Sequence, residues 1–125
     1  MKKIISTDKA PAAIGPYSQA TVHNNTIYIS GQLPFDPATG QLSEGDMTQQ
    51  TQLVMNNIAA IVEAAGSNMD NMLKTTILLT DLGNFAEVNA AYEKFFPNQP
   101  PARACYQVAA LPRGASIEIE AICAL

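Results

Sequence analysis

One long amphipathic helix pattern, between residues 47 and 65, constrains the fold more than any other feature of the sequence. Positions at steps of three and four share one face of this helix: Met47, Thr51, Val54, Ile58, Ile61 and Ala65. Asp46 and Gln49 match a capping box at its start, and Gly66 suits the position just beyond its end. A helix with one apolar stripe has to bury that stripe, so the remaining chain must supply a second layer.

Most of the remaining patterns are those of β-strands. Residues 18–31 hold two β-rich runs around His23-Asn24-Asn25, which predicts a hairpin. Residues 102–108 and 116–125 predict two further strands, the second rich in β-branched residues. Residues 73–80 alternate and place four side chains on one strand face: Leu73, Thr75, Ile77 and Leu79.

A second, shorter helix is predicted from Phe85 to Phe95. Asn84 and Glu87 suit its start, and Pro97 ends it because the residue before proline avoids the helical conformation. Its predicted buried stripe is Phe85, Val88, Tyr92 and Phe95.

The resulting order of elements is β-β-β-α-β-α-β-β. It predicts one α+β domain over residues 1–125, with both helices packed on one face of a sheet. The other face of the sheet then has no helix to cover it, so it is either solvated or in contact with another copy of the chain. Charged residues make up only 14% of the sequence, against a usual ~25%, which favours another copy.

Composition and charge exclude several classes of function. The net charge is -4 and the seven Lys and Arg are scattered singly, which argues against a nucleic-acid partner. The apolar stretches are too short to span a membrane and the N-terminus lacks a secretory signal, so we expect a cytoplasmic protein with free thiols at Cys105 and Cys123. His23 is the only histidine, which leaves no metal-ligand spacing and no suitable base for a serine-type triad.

Charged side chains in the last two predicted strands are the best candidates for chemistry. Glu118 and Glu120 leave the same strand face ~6.5–7 Å apart and suit acid–base work; a solvated strand face is the alternative. Arg103 shares a strand face with Cys105, and arginine grips a carboxylate through two parallel hydrogen bonds. A salt bridge from Arg103 to Glu118 or Glu120 on a neighbouring strand is the alternative, and the two interpretations are compatible.

Three other features of the sequence are candidates for a role in a binding site. The apolar loop 10–19 is stiffened by two prolines and a glycine, which suits a segment that lays Tyr17 across a pocket; a loop that merely covers the core is the alternative. Ser30 and Gly31 end a strand, where glycine permits close approach of a ligand or another chain. Cys105 is either a nucleophile or a small buried strand residue, and the absence of a nearby base favours the second.

Several segments together resemble the Rid (YjgF-type) family of small enamine and imine deaminases, from about Ile5 to Ala124. The matching segments include A-P-A-A-I-G-P-Y-S-Q at 10–19, S-G-Q-L-P at 30–34, F-A-E-V-N-A-A-Y at 85–92, P-A-R-A-C at 101–105 and I-E-I-E-A at 117–121. The resemblance implies a chorismate-mutase-like fold and a homotrimer with active sites in the clefts between subunits.

The resemblance also implies roles for individual residues. Glu118 is the catalytic glutamate that places the attacking water, and Arg103 is the catalytic arginine that binds the substrate carboxylate. Whether Glu120 shares the role of Glu118 stays open. The remaining substrate-binding positions are Tyr17, Ser30, Gly31, Asn89 and Cys105.

The activity that the resemblance implies is a cofactor-independent 2-iminobutanoate/2-iminopropanoate deaminase, a hydrolase acting on C=N bonds. Its ligand is a small imino or keto acid, its substrates are the enamine and imine intermediates released by pyridoxal-phosphate dehydratases, and its products are 2-keto acids and ammonia. No metal and no organic cofactor are expected. Two alternatives remain: a non-catalytic, small-ligand-binding regulatory trimer, and an endoribonuclease or translation inhibitor, against which the acidic charge weighs.

Overall fold

The computed structural model describes residues 1–125, and its elements follow the predicted order. The six strands form one sheet in the order β1-β2-β3-β6-β4-β5, antiparallel except for the parallel pair β4–β5. This confirms the α+β class. The elements are β1 (Lys3–Ile5), β2 (Ala20–His23), β3 (Thr26–Gln32), α1 (Met47–Ala64), β4 (Met72–Leu79), α2 (Phe85–Glu93), β5 (Ala102–Gln107) and β6 (Ile117–Ala124).

The predicted hairpin is formed by β2 and β3. Asn24 and Asn25 link the strands with φ of 49° and 60°, and two consecutive left-handed residues make the turn that matches the twist of a two-residue hairpin. Asparagine tolerates this conformation better than most side chains, so the local sequence selects the turn.

Helix α1 begins and ends close to the predicted positions. The Asp46 side chain accepts a hydrogen bond from the Gln49 backbone at 2.8 Å, and the Gln49 side chain accepts one from the Asp46 backbone at 3.0 Å. Gly66 follows the helix with a φ of +90°. Val54, Ile58 and Ile61 are fully buried against the sheet, which confirms the predicted stripe.

Strand β6 lies in the centre of the sheet and separates two kinds of side chain. Ile117, Ile119 and Ala121 are buried beneath the helices, whereas Glu118 and Glu120 lie on the opposite face, as the alternation predicted. No helix covers that opposite face, which we call the open face. It carries Tyr28 and Tyr106, each about half exposed. The domain therefore has two layers, the sheet and the helices that cover one of its faces.

Two local predictions are wrong, each for a physical reason, and a third is right only in part. Leu73 is half exposed because the pairing of β4 with β6 shifts register between Met72 and Lys74, which turns Met72 inward instead. Asn84 occupies the N-cap position of α2, as predicted, but its side chain makes no capping hydrogen bond, because a short 3₁₀ turn over Leu82–Asn84 precedes α2 and that turn is capped by Asp81.

The end of the second helix also differs from the prediction. Helix α2 stops at Glu93 rather than near residue 95, so Phe96 is buried in the core while Phe95 is only partly buried. No helix in the structure combines the length and the apolar content needed to cross a membrane.

Candidate active site

The predicted site residues fall into two groups on opposite faces of the sheet. Arg103 leans on α2, on the helix-covered side, at the edge strand β5. Glu118 lies on the open face of the central strand β6. Strand β4 separates the two strands. One chain therefore does not bring these two side chains together on one face.

This arrangement corrects one of the sequence-based alternatives. A salt bridge from Arg103 to Glu118 or Glu120 on a neighbouring strand is wrong, because β5 pairs only with β4 and the two glutamates face the other side. The order of strands in a sheet follows from long-range pairing, which hydrophobic periodicity does not encode.

The Arg103 side chain is held by α2. It donates a hydrogen bond from Nη1 to the Asn89 Oδ1 atom at 2.7 Å. Its guanidinium carbon lies 5.4 Å from the centre of the Phe85 ring and 5.2 Å from the centre of the Tyr92 ring, within the range of a cation–π interaction. Asn89, predicted to bind substrate, therefore contacts the arginine in this structure.

A cavity of about 450 Å³ opens beside the guanidinium. Its walls combine two aromatic rings and two prolines with the polar groups of Asn89 and Arg103 and the carboxylate of Glu93. An arginine at such a wall presents a fork of donors to an anion. The lining residues are Asn89, Tyr92, Glu93, Phe96, Pro100, Pro101 and Arg103.

Cys105 lies two residues along β5, on the same side as Arg103. It pairs in register with the fully buried Ile77 and packs against the core. Burial raises the pKa of its thiol, and the positive charge of Arg103 offsets only part of that effect. A thiol with a raised pKa is a poor nucleophile, so its surroundings favour a packing role.

Glu118 is half-buried although it lies on the open face. Burial raises the pKa of its carboxyl, and the negative charge of nearby Glu120 raises it further. A carboxylate whose pKa is moved towards neutrality is better suited to take a proton from water than an ordinary surface glutamate.

Gly31 leaves room for the Glu118 side chain. A Cβ atom added at Gly31 would lie 2.6 Å from the Glu118 Oε2 atom, closer than such atoms approach. The pairing of β3 with β6 shifts register between Ile29 and Gln32, at this same place. Gly31 thus allows a close approach at the end of its strand, as the sequence predicted. The group that lies against it is the side chain of Glu118, the candidate base.

Tyr17 and Ser30 belong to the same end of the sheet as Gly31. Ser30 donates from Oγ to the Ser18 carbonyl at 2.6 Å, which ties the strand end to the loop that carries the half-exposed Tyr17. The loop is further anchored by buried Gln19, which bonds to the backbone of Thr7 and Pro11. Sequence reasoning missed this anchoring role of Gln19.

Sequence reasoning also missed why Phe85 and Tyr92 matter to the site. Both were predicted only as part of a buried stripe, yet their rings lie against Arg103. The signal was their spacing with Asn89, four and three residues apart, which places all three side chains on one face of α2.

A family model and a curated relative both match nearly the whole chain. The family model described as "Endoribonuclease L-PSP" matches residues 7–125. The bovine 2-iminobutanoate/2-iminopropanoate deaminase is 54% identical over 122 residues, which cover 98% of this chain and 89% of the bovine protein. The fold is that of a small α+β protein with both helices on one face of its sheet. The chain belongs to the Endoribonuclease L-PSP family, also called the Rid (YjgF-type) family, which confirms the resemblance.

Two solved structures support the same assignment. A Rid-family protein from Yersinia pestis matches with a TM-score of 0.98 at 45% identity, over 100% of both chains. TdcF from E. coli, solved with bound serine, matches with a TM-score of 0.94 at 42% identity, over 98% of each chain.

Proposed function

We propose that this chain is a 2-iminobutanoate/2-iminopropanoate deaminase whose active site forms between subunits of a homotrimer. The observation that carries the proposal is the separation of Arg103 and Glu118 onto opposite faces of one sheet. If both act on the same small substrate, they have to come from different copies of the chain. The bovine relative, which bears this activity in its name, supports the choice of reaction.

In the proposed trimer the open faces of the three sheets turn inward. The β5 edge of one subunit, with Arg103, then meets the end of the next subunit's sheet, where Gly31 and Glu118 lie. Each cleft would contain one arginine and one glutamate. A rotationally symmetric ring repeats the same contact between each pair of neighbours and so creates three equal sites.

The proposed chemistry needs an anion clamp and a positioned water. Arg103 holds the carboxylate of the 2-imino acid through two parallel hydrogen bonds. Glu118 orients a water beside C2 and takes its proton as the oxygen attacks. Glu118 then gives that proton to the nitrogen and takes up the hydroxyl proton as the tetrahedral aminoalcohol collapses and the C–N bond breaks, so that ammonia and the 2-keto acid leave. Tyr17 and Ser30 would shape the wall of the cleft.

A subunit-mixing experiment tests both the reaction and the placement of the site. Arg103→Ala and Glu118→Gln subunits, each inactive alone, are co-refolded in equal amounts. If each site combines an arginine and a glutamate from neighbouring subunits, random assembly regenerates about one quarter of the parental sites. The readout is pyruvate formation from the imine that a serine dehydratase releases. No recovery in verified mixed trimers would refute a site between subunits.

A non-catalytic ligand-binding trimer is the second candidate. The TdcF structure with bound serine favours it, because serine carries the carboxylate that an arginine clamp recognises. Both candidates use Arg103, but only the deaminase needs Glu118 as a base. Binding of a carboxylate ligand without acceleration of imine hydrolysis would support this second function and contradict the first.

The endoribonuclease activity in the description of the family model is not part of the proposal. Affinity for RNA depends chiefly on basic contacts to phosphate, and this chain has a net charge of -4.

A further inference from the structure

The groups that hold Arg103 on α2 are all uncharged. One is the amide of Asn89, which accepts the hydrogen bond from Nη1, and two are the rings that flank the guanidinium. We call these three side chains the neutral cradle: Phe85, Asn89 and Tyr92. Because they occur four and three residues apart on α2, a single helical face presents all of them to β5.

We propose that the neutral cradle orients Arg103 without pairing with its charge, so that the guanidinium stays free to form an ion pair with a ligand carboxylate, although the Glu93 carboxylate also lines the cavity. The inference rests on the proposed function, in which Arg103 is the carboxylate clamp. It assigns Asn89 a positioning role that acts through the arginine. It also adds Phe85 and Tyr92 to the site as positioning residues.

The donor geometry of arginine supports this role. A guanidinium has five N–H donors, and the bond to Asn89 uses one of those on Nη1. The remaining donors include the pair on the other side of the fork, which can bind a carboxylate bidentately. An aspartate in place of Asn89 would have nearly the same shape, but it would pair with the charge itself and compete with the ligand.

Tyr92, one member of the cradle, is held by a hydrogen bond to strand β4. The Tyr92 hydroxyl lies 2.7 Å from the Thr75 Oγ1 atom, and Thr75 is fully buried on β4, in register with Arg103. Burial raises the pKa of Tyr92, so its ring stays neutral at physiological pH. The ring below the guanidinium is thus held in place by the strand that pairs with the arginine's own strand.

The decisive test compares a charge change with a truncation at position 89. Binding of 2-oxobutanoate to the intact assembly is measured by calorimetry for the parent, Asn89→Asp and Asn89→Ala. Asn56→Asp, at an exposed position on α1, is the matched control for adding a negative charge. Thermal unfolding of each variant is recorded in parallel, and deamination of the imine is assayed separately.

We expect Asn89→Asp to weaken binding of 2-oxobutanoate about tenfold and Asn89→Ala to weaken it only about threefold. Thermal stability should run in the opposite order, because aspartate keeps and strengthens the bond to Arg103. The loss in the aspartate variant should appear in KM rather than in kcat, and it should shrink at high salt because screening weakens the new ion pair. Asn56→Asp should leave binding unchanged.

A second pair of variants separates the two rings. Phe85→Leu keeps apolar bulk but removes the aromatic face, and it should weaken binding about threefold. Tyr92→Phe keeps the ring and loses the bond to Thr75 that fixes it, so it should lower thermal stability and weaken binding, but by less than Phe85→Leu does.

The outcomes distinguish the cradle from the proposed function. If the parent binds 2-oxobutanoate and Asn89→Asp binds as well as the parent, or better than Asn89→Ala, the neutral cradle is wrong and the deaminase proposal stands. If the parent binds the ligand with the expected order of variants but does not deaminate, the cradle stands and the deaminase proposal fails. A parent that does not bind the carboxylate overturns both.

Discussion

At the scale of single residues, the site depends on how its surroundings tune two charged groups. The side chains that contact Arg103 are neutral, while the Glu93 carboxylate also lines the cavity beside it. The surroundings of Glu118 raise the pKa of its carboxyl through burial and through the charge of Glu120. A cation held by neutral side chains and a carboxylate with a raised pKa suit complementary tasks, binding an anion and accepting a proton.

Replacing Arg103 should affect the reaction more than any other single change. Arg103→Ala removes the charge and the fork, and we expect kcat/KM to fall ~30- to 1000-fold. Arg103→Lys keeps the charge and loses the fork, so it should retain partial activity. Steady-state kinetics on variants of verified assembly state would decide this. An Arg103→Ala protein that assembles normally and deaminates as fast as the parent would refute the carboxylate clamp.

Replacing Glu118 should separate activity from stability. Glu118→Gln keeps the shape but removes the base, so kcat should fall while affinity for 2-oxobutanoate is largely retained. Because the folded-state pKa of Glu118 is raised, the folded protein binds more protons than the unfolded chain, and this carboxyl costs stability as pH rises through that pKa.

Glu118→Gln has no carboxyl to ionise and so avoids this loss of stability. Its thermal midpoint at pH 7 should therefore be no lower than that of the parent. In the parent, kcat/KM should decline on acidification through a range above the ordinary glutamate pKa, as the base becomes protonated. A large drop in the thermal midpoint of Glu118→Gln would show that the carboxylate is structural.

Cys105 should be dispensable for the chemistry. Burial raises the pKa of its thiol, the proposed hydrolysis uses water as the nucleophile, and no histidine lies on its strand. Cys105→Ala should keep measurable deaminase activity, with at most a reduction from looser packing. Complete loss of activity in an intact assembly, or a covalent adduct on this sulfur by mass spectrometry, would contradict the water mechanism.

At the scale of elements, the sequence predicts what local patterns control and misses what long-range pairing controls. The capping box at Asp46 and the asparagine turn of the hairpin are local, and both are present in the structure. The insertion of β6 between β3 and β4 depends on long-range pairing, so local sequence patterns could not predict that Arg103 and Glu118 lie apart. The exposure of Leu73 arises in the same way, from a register shift between paired strands.

The close approach of β3 and β6 gives a prediction at this scale. Gly31→Ala places a methyl group where the Glu118 carboxylate lies, so the glutamate has to move. We expect kcat to fall at least tenfold, because a base displaced by an ångström loses its alignment with the water. Gly40→Ala is a control for loss of a glycine where a Cβ meets no neighbour, although its positive φ will cost some stability. Unchanged turnover in Gly31→Ala would separate Glu118 from the reaction.

At the scale of the whole molecule, the two faces of the sheet differ in what covers them. The helix-covered face holds the core, whereas the open face carries half-exposed Tyr28 and Tyr106 together with partly buried Leu78 and Ile122. Apolar side chains on a sheet face that no helix covers are typical of an interface between subunits. The low charged fraction of the sequence fits such a partly covered surface, and in the proposed trimer the separation of Arg103 from Glu118 would give this interface a function.

The chain should therefore be a trimer in solution, and its assembly should be required for activity. Light scattering should give about three times the 13.3 kDa of one chain. Ile122→Lys adds a charge at a partly buried position of the open face, opposite Tyr28, and should dissociate the trimer and abolish deamination together. Ala64→Lys, exposed at the end of α1, adds the same charge outside this face and should change neither property. A monomer at micromolar concentration that deaminates at the parental rate would refute both the assembly and the site between subunits.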